Sequence, residues 1–163
     1  MERDNLVGAG GKWPVIDEKP DPSVVRQTFD ASCVSACGEM LLRDCGIGGL
    51  SQADLMEQLG APAVTLELAG VLNQRSGVER WRSAQVNVPD MGGRNAVEAL
   101  GDLGSWVAEF REVGVRIGHA VVVDGLKDNT LRIRDPFDGT SYTMKLDDFL
   151  EYWSWTAVWQ ERP

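Results

Sequence analysis

The chain has 163 residues, the size of one ordinary domain, and 43% of them are hydrophobic against 25% charged, which supplies a core and rules out a disordered chain. Sixteen Lys and Arg face 25 Asp and Glu, a net charge of -9 and the wrong sign for gripping nucleic-acid phosphates or an anionic lipid surface. No apolar run approaches the roughly 20 residues that cross a bilayer, and the opening MERDNLVGAGGKW lacks the apolar h-region of a signal peptide. These features predict a protein that is cytoplasmic in its producer, with no nucleic-acid and no membrane partner.

Residues 1–26 carry Gly8, Gly10, Gly11, Pro14, Pro20 and Pro22 and read as an irregular arm or linker, pinned by Trp13 and Ile16 to a domain over 27–163. Asp30 or Ser32 is placed to cap a helix through Val34, Ala36, Cys37, Met40 and Leu41 that ends near Cys45-Gly46. A second helix opens at Ser51, with Asp54 reaching back as a capping box, and a third fits Thr65 to Gln74. Trp81 to Val88 reads as extended, and Asn95 to Leu100 as a short helix. The last third is rich in β-branched and aromatic residues between turn formers: strands are expected over Trp106–Phe110, Ile117–Asp124, Leu131–Asp135, Ser141–Leu146 and Thr156–Trp159, with a helix over Asp147–Trp153. Helices first and strands later indicate an α+β fold rather than alternating βαβ units. Tyr152, Trp153, Trp155 and Trp159 read as core rather than as a substrate platform.

The chemistry-bearing residues are few. Cys33, Cys37 and Cys45 are an odd count within one short stretch, which argues against a disulfide scaffold. With one histidine and no paired CxxC, no zinc site and no cofactor are expected. The choice lies between inert buried thiols and one reactive thiol. Cys33 falls in the first turn of the first expected helix, where backbone N–H groups and the helix dipole favour a thiolate; Cys37 and Cys45 read as structural.

His119 opens the apolar strand Gly118-His119-Ala120-Val121-Val122-Val123-Asp124-Gly125, and the midpoint between it and Asp135 is residue 127, inside a turn-like stretch. A hairpin closed there sets the two side chains roughly opposite, about 5 Å apart at Cβ. A carboxylate at that distance fixes the imidazole tautomer and stabilises the imidazolium, and Pro136 keeps Asp135 extended. Gln27, six residues before Cys33, is placed to donate to a developing oxyanion alongside the Cys33 N–H. Neither Cys37 nor Cys45 has a Gln at that spacing.

Gln27-x5-Cys33, the helix Ala36-Cys37-Gly38-Glu39-Met40-Leu41, the His119 strand and Arg134-Asp135-Pro136-Phe137-Asp138-Gly139 together resemble the bacteriocin-processing branch of the papain-like cysteine peptidases. That family cleaves leader peptides after paired glycines. The resemblance implies a papain-like α+β fold with Cys33 as nucleophile, His119 as general base and acid, Asp135 as orienting carboxylate and Gln27 as oxyanion donor. Val34 stands where the leader peptidases carry Gly, residues 46–105 match poorly, and the arm before Gln27 is longer than theirs. These departures make the chain look more like the peptidase toxin domains of secreted bacterial effectors. That likeness implies delivery by a secretion system into a target-cell cytoplasm, a protein or peptide substrate cut after Gly-Gly, and a cognate immunity protein as partner. The alternatives are a double-glycine leader peptidase that matures a precursor, a Cys-His-Asp acyltransferase or deamidase, and a catalytically inert binding module.

Overall fold

The strand-rich last third pairs into one antiparallel sheet, and the N-terminal segment joins its edge. A computed structural model describes residues 6–7, 11–112 and 118–162. In chain order the strands are β1 (Leu6–Val7), β2 (Pro14–Pro20), β3 (Trp81–Gln85), β4 (Trp106–Phe110), β5 (His119–Lys127), β6 (Thr130–Asp135), β7 (Thr140–Lys145) and β8 (Trp153–Gln160). The helices are α1 (Cys33–Asp44), α2 (Gln52–Leu59), α3 (Leu68–Ser76), α4 (Gly93–Asp102) and α5 (Leu146–Tyr152), with a 3-10 turn at Thr65–Glu67. The sheet order is β1-β2-β7-β6-β5-β4-β8-β3. The α+β expectation is met. The expected strand start at Ile117 lies outside the described residues, as does Pro163 at the end of the expected domain.

The sheet separates two cores. Val107, Ala120, Val122 and Val158 face α1, α2 and α3, whereas Trp106, Ala108, Phe110, Val121, Val123 and Ile133 pack with Trp13, α4 and α5. Successive β5 residues thus enter opposite cores, which is why the strand reads as an unbroken run, Ala-Val-Val-Val, instead of alternating with polar residues. Gly38 marks the closest approach on the helical face: a Cβ there would lie 2.8 Å from Leu55 Cδ1 and 2.9 Å from Leu68 Cδ1. At the end of α1, Gly46 takes φ +76°, a left-handed conformation that terminates the helix where the glycine predicts.

Two local readings change. Pro14–Pro20 is a strand rather than irregular arm; its prolines sit at the ends, where a missing N–H breaks no interior ladder bond, and Val15 is buried between them. The strand carries an irregularity between Ile16 and Lys19, with Asp17 at φ 54°. The expected Ser32 cap does not form on α1: its hydroxyl accepts from Phe29 N at 3.0 Å and donates to Phe29 O at 2.9 Å, closing the turn before the helix. Asp54, in contrast, accepts from Ser51 N at 2.8 Å as the reciprocal half of the capping box on α2.

Candidate active site

Cys33 is the first residue of α1. The first intrahelical bond runs from Ala36 N–H to Ser32 O, so the N–H groups of Cys33, Val34 and Ser35 lie ahead of the ladder, at the positive end of the dipole. The cysteine is 5% exposed, and Ala120 N–H donates to its sulfur at 3.5 Å. This contact ties the helix start to the second residue of β5.

His119 and Asp135 meet as the sequence predicts, by a different register. Asp128 and Asn129, at φ 52° and 64°, form the two-residue loop of the β5–β6 hairpin, flanked by Lys127↔Thr130. The register then slips at Asp124, between Val123↔Ile133 and Gly125↔Arg132. One step beyond Val122↔Arg134, Asp135 lies across from Val121, so His119 reaches it diagonally. His119 Nε2 and Asp135 Oδ1 are 2.7 Å apart. With Nε2 engaged there, Nδ1 is the ring nitrogen left for the hydrogen bond between His119 and Cys33. Burial alone would lower the imidazole pKa. The Asp135 charge and hydrogen bond, helped by Cys33, outweigh it and raise the value to about 10.

Asp135 is fully buried, and both of its oxygens are satisfied. Oδ1 also accepts from Phe137 N at 2.9 Å, and Oδ2 accepts from Tyr142 Oη at 2.7 Å. Gln27 is bound to the same strand end, its N–H donating to Pro136 O at 2.7 Å. Its side chain departs from the expected pose. Nε2 donates to Phe29 O at 2.8 Å and Asp30 O at 2.9 Å, holding the loop that leads into α1, while Oε1 is buried without a partner. Burial pushes the Cys37 thiol well above its ordinary pKa, in keeping with its structural reading.

Cys33 opens onto a cleft of about 320 Å³ lined by Val34, Pro62, Val64, Leu66, Glu109 and Thr156 among others. A larger depression of about 850 Å³ contains neither Cys33 nor His119; Arg134 in its wall is paired with Asp44 and Asp124. Among the described residues no three His, Cys, Asp or Glu side chains gather as a metal-holding group. No helix among them is long and apolar enough to cross a membrane.

No family model matches the chain. By sequence it is similar to Cysteine protease effector 1 of Escherichia coli, with 34% identity over 154 residues. The match covers 94% of this chain and 30% of that protein, so the chain spans about a third of the relative's length. By structure it is similar to the peptidase domain of Streptococcus ComA, a bifunctional ABC transporter involved in quorum sensing, with a TM-score of 0.67 and 20% identity, covering 85% of this chain and 97% of that one. A C39-like peptidase from Bacillus anthracis gives a TM-score of 0.65 at 14% identity, over 90% of this chain and 99% of that chain. A double glycine motif protease from an AMS/PCAT transporter, solved with its leader peptide, gives 0.61 at 15% identity over 86% and 91%. The fold is that of the papain-like, bacteriocin-processing peptidase domains. The expected resemblance holds for the architecture across most of the chain.

Within this peptidase fold, the structure brings the sequence-named Cys33, His119, Asp135 and Gln27 to one place, together with Tyr142, which the sequence reading did not name, and Trp13, which it took only as a pin for the arm. Tyr142 had a usable signal: it shares strand parity with Met144, so β7 sends both to one face. Trp13 had none beyond being a large apolar residue in a Gly- and Pro-rich stretch.

Proposed function

We propose that the chain is a cysteine endopeptidase in which Cys33 attacks the scissile carbonyl, His119 moves the proton and Asp135 orients the imidazole. The observation that carries this reading is the 2.7 Å His119–Asp135 bond beside a cysteine at a helix start. The Cys33 thiolate adds to the carbonyl, and the oxyanion is met by the Cys33 N–H and by Gln27 once one of its Nε2 hydrogens leaves a loop carbonyl. Imidazolium His119 then protonates the leaving amine as the C–N bond breaks. Neutral His119 next takes a proton from the water that attacks the thioester, and collapse of that intermediate expels the Cys33 thiolate with the acid product, which restores the thiolate–imidazolium pair.

The substrate is cleaved after Gly-Gly. Cys33 lines the cleft with only 5% of its surface exposed, a restricted approach that favours residues without Cβ at both positions preceding the scissile bond. The setting is that of a bacterial effector acting in a target-cell cytoplasm and held in check by an immunity protein. The sequence similarity to a protein named as a cysteine protease effector supports this setting. The test is a search for new protein termini in bacterial lysate exposed to the active chain or to Cys33→Ala. Termini following Gly-Gly, present only with the active chain, are expected; identical termini in both samples overturn the reading.

Leader maturation is the second reading, favoured by the fold shared with a protease solved on its leader peptide. Expression in a bacterial cytoplasm separates the two. Cys33-dependent toxicity is expected for the effector, and harmless accumulation of active enzyme for the processing peptidase.

A further inference from the structure

Behind the His119–Asp135 pair, a tryptophan and a tyrosine complete a hydrogen-bonded chain that starts in the N-terminal segment. Trp13 Nε1 donates to Tyr142 Oη at 2.9 Å, and Tyr142 Oη donates to Asp135 Oδ2 at 2.7 Å. The Trp13 ring also lies against the imidazole, with centroids 5.5 Å apart and planes 15° from parallel. Trp13 and Tyr142 are 2% and 4% exposed, so neither holds this position as an ordinary surface residue. A cation within about 6 Å of an indole face is stabilised, most of all where water is excluded.

We infer that Trp13 and Tyr142 are positioning residues: Tyr142 anchors the Asp135 oxygen that His119 does not use, and Trp13 both anchors Tyr142 and stacks on the imidazolium. This assignment rests on the cysteine-peptidase reading and adds β2, with the turn before it, to the working parts of the site. Three elements contribute one partner each. Phe137 is a second aromatic neighbour of the imidazole, with ring centroids 6.3 Å apart and planes at 84°. The titratable groups facing His119 are Cys33 from α1, with Cys37 behind it, Asp135 from β6, and Tyr142 from β7. Glu109 of β4 packs beside Gly118 and is paired with Arg111 at 2.8 Å.

The two roles have opposite signs. Losing the Tyr142 hydroxyl concentrates the Asp135 charge on the His119 side and raises the imidazole pKa. Losing the Trp13 ring face removes a stabiliser of the imidazolium and lowers it. His119 is the sole histidine of the chain, so its imidazole resonances can be followed by NMR against pH without ambiguity. In the whole chain, Trp13→Leu is expected to lower the His119 pKa by roughly half to one unit. Tyr142→Phe is expected to raise it, with kcat for a Gly-Gly peptide falling roughly tenfold and KM little changed, since a hydrogen bond to a charged group is lost. Trp13→Phe keeps an aromatic face and should leave the titration closest to wild type. A merely structural role would lower the melting temperature and leave the titration still. An unchanged His119 titration in Tyr142→Phe overturns the inference, as does a shift of the same sign in Trp13→Leu; if Trp13→Leu does not fold, Tyr142→Phe decides alone. The NMR readout needs no turnover. Absence of peptidase activity in the wild type would therefore sink the peptidase reading separately.

Discussion

The two faces of the sheet contribute to the site in different ways. The helical face delivers one group, Cys33, by aiming the start of α1 at β5, and what surrounds it is apolar: Val34, Ala36, Cys37 and the leucines of α1 to α3. The opposite face delivers Asp135, Tyr142 and Trp13, three polar-tipped side chains hydrogen-bonded in series inside an aromatic core. His119, at the strand start between them, takes its carboxylate from one face and meets its thiol from the other. A nucleophile at a helix end needs little besides the backbone that presents it, because the first-turn N–H groups are part of every helix. A buried carboxylate has to be satisfied lone pair by lone pair, and Asp135 draws its side-chain partners from β5 and β7 and a backbone N–H from the turn after its own strand.

Removing the groups at the junction should have the largest effect. Cys33→Ala and His119→Ala are each expected to reduce turnover by several orders of magnitude, with circular dichroism unchanged for Cys33→Ala. Turnover retained in well-folded Cys33→Ala would show that the helical face does not supply the nucleophile. Next comes Gln27→Ala, expected to cost about 10²–10³ in kcat through the lost oxyanion donor. Gln27 also holds Phe29 and Asp30 carbonyls, so Gln27→Glu is the sharper probe. It keeps the side-chain length but removes the amide donors, and a fall in kcat with secondary structure intact is the outcome to look for.

How much of this was legible in the chain follows the same division. The His119 strand, the turn after it and Asp135-Pro136 lie within 18 residues of one another, so counting to the midpoint was enough to bring the pair together. The count missed the register slip at Asp124, since a bulge leaves no mark in a short hydrophobic pattern, yet a diagonal His reaches as well as a direct one. Cys33 was found from helix-start chemistry, although Ser32 closes the preceding turn instead of capping. Trp13 was out of reach as a partner because it is 129 residues from Tyr142 and 122 from Asp135. Only the sheet order, which sets β2 beside β7 and β7 beside β6, makes them neighbours. Prolines at both ends of β2 masked the strand that carries this placement.

The charged junction should also leave a signature in stability against pH. The folded pKa of His119, about 10, lies above its ordinary 6.5. The raised value means that the folded protein holds this proton more tightly than the unfolded chain. Its contribution is therefore complete below pH 6.5 and is lost progressively as pH rises through 10. Urea unfolding midpoints are expected to fall across that window in the wild type, and His119→Gln should remove that component of the slope. An equal decline in both proteins would mean that other groups set the alkaline limit.

The smallest expected effect lies away from the site, on the helical face, and measures how far that face's stability is separable from its chemistry. Ser51 and Asp54 cap α2 reciprocally at an exposed helix start, with Ser51 Oγ also 3.0 Å from Asp54 Oδ2. Ser51→Ala removes one half of the box and should cost about 1 kcal/mol. For a chain of this length that corresponds to a melting temperature lower by roughly 2–4 °C. Activity should not follow, because α2 reaches the loop before Cys33 through Gln52, whose Oε1 accepts from Thr28 N at 3.1 Å and whose Nε2 donates to Arg26 O at 2.7 Å. Those bonds belong to the helix's first residue and persist as long as α2 is docked. Gln52→Ala provides the contrast: it keeps the cap but frees residues 26–28, so kcat should drop more than stability does. If Ser51→Ala lowers kcat as much as Gln52→Ala, then fraying of α2 itself disturbs the α1 entry, and the helical face is a single mechanical unit with the nucleophile.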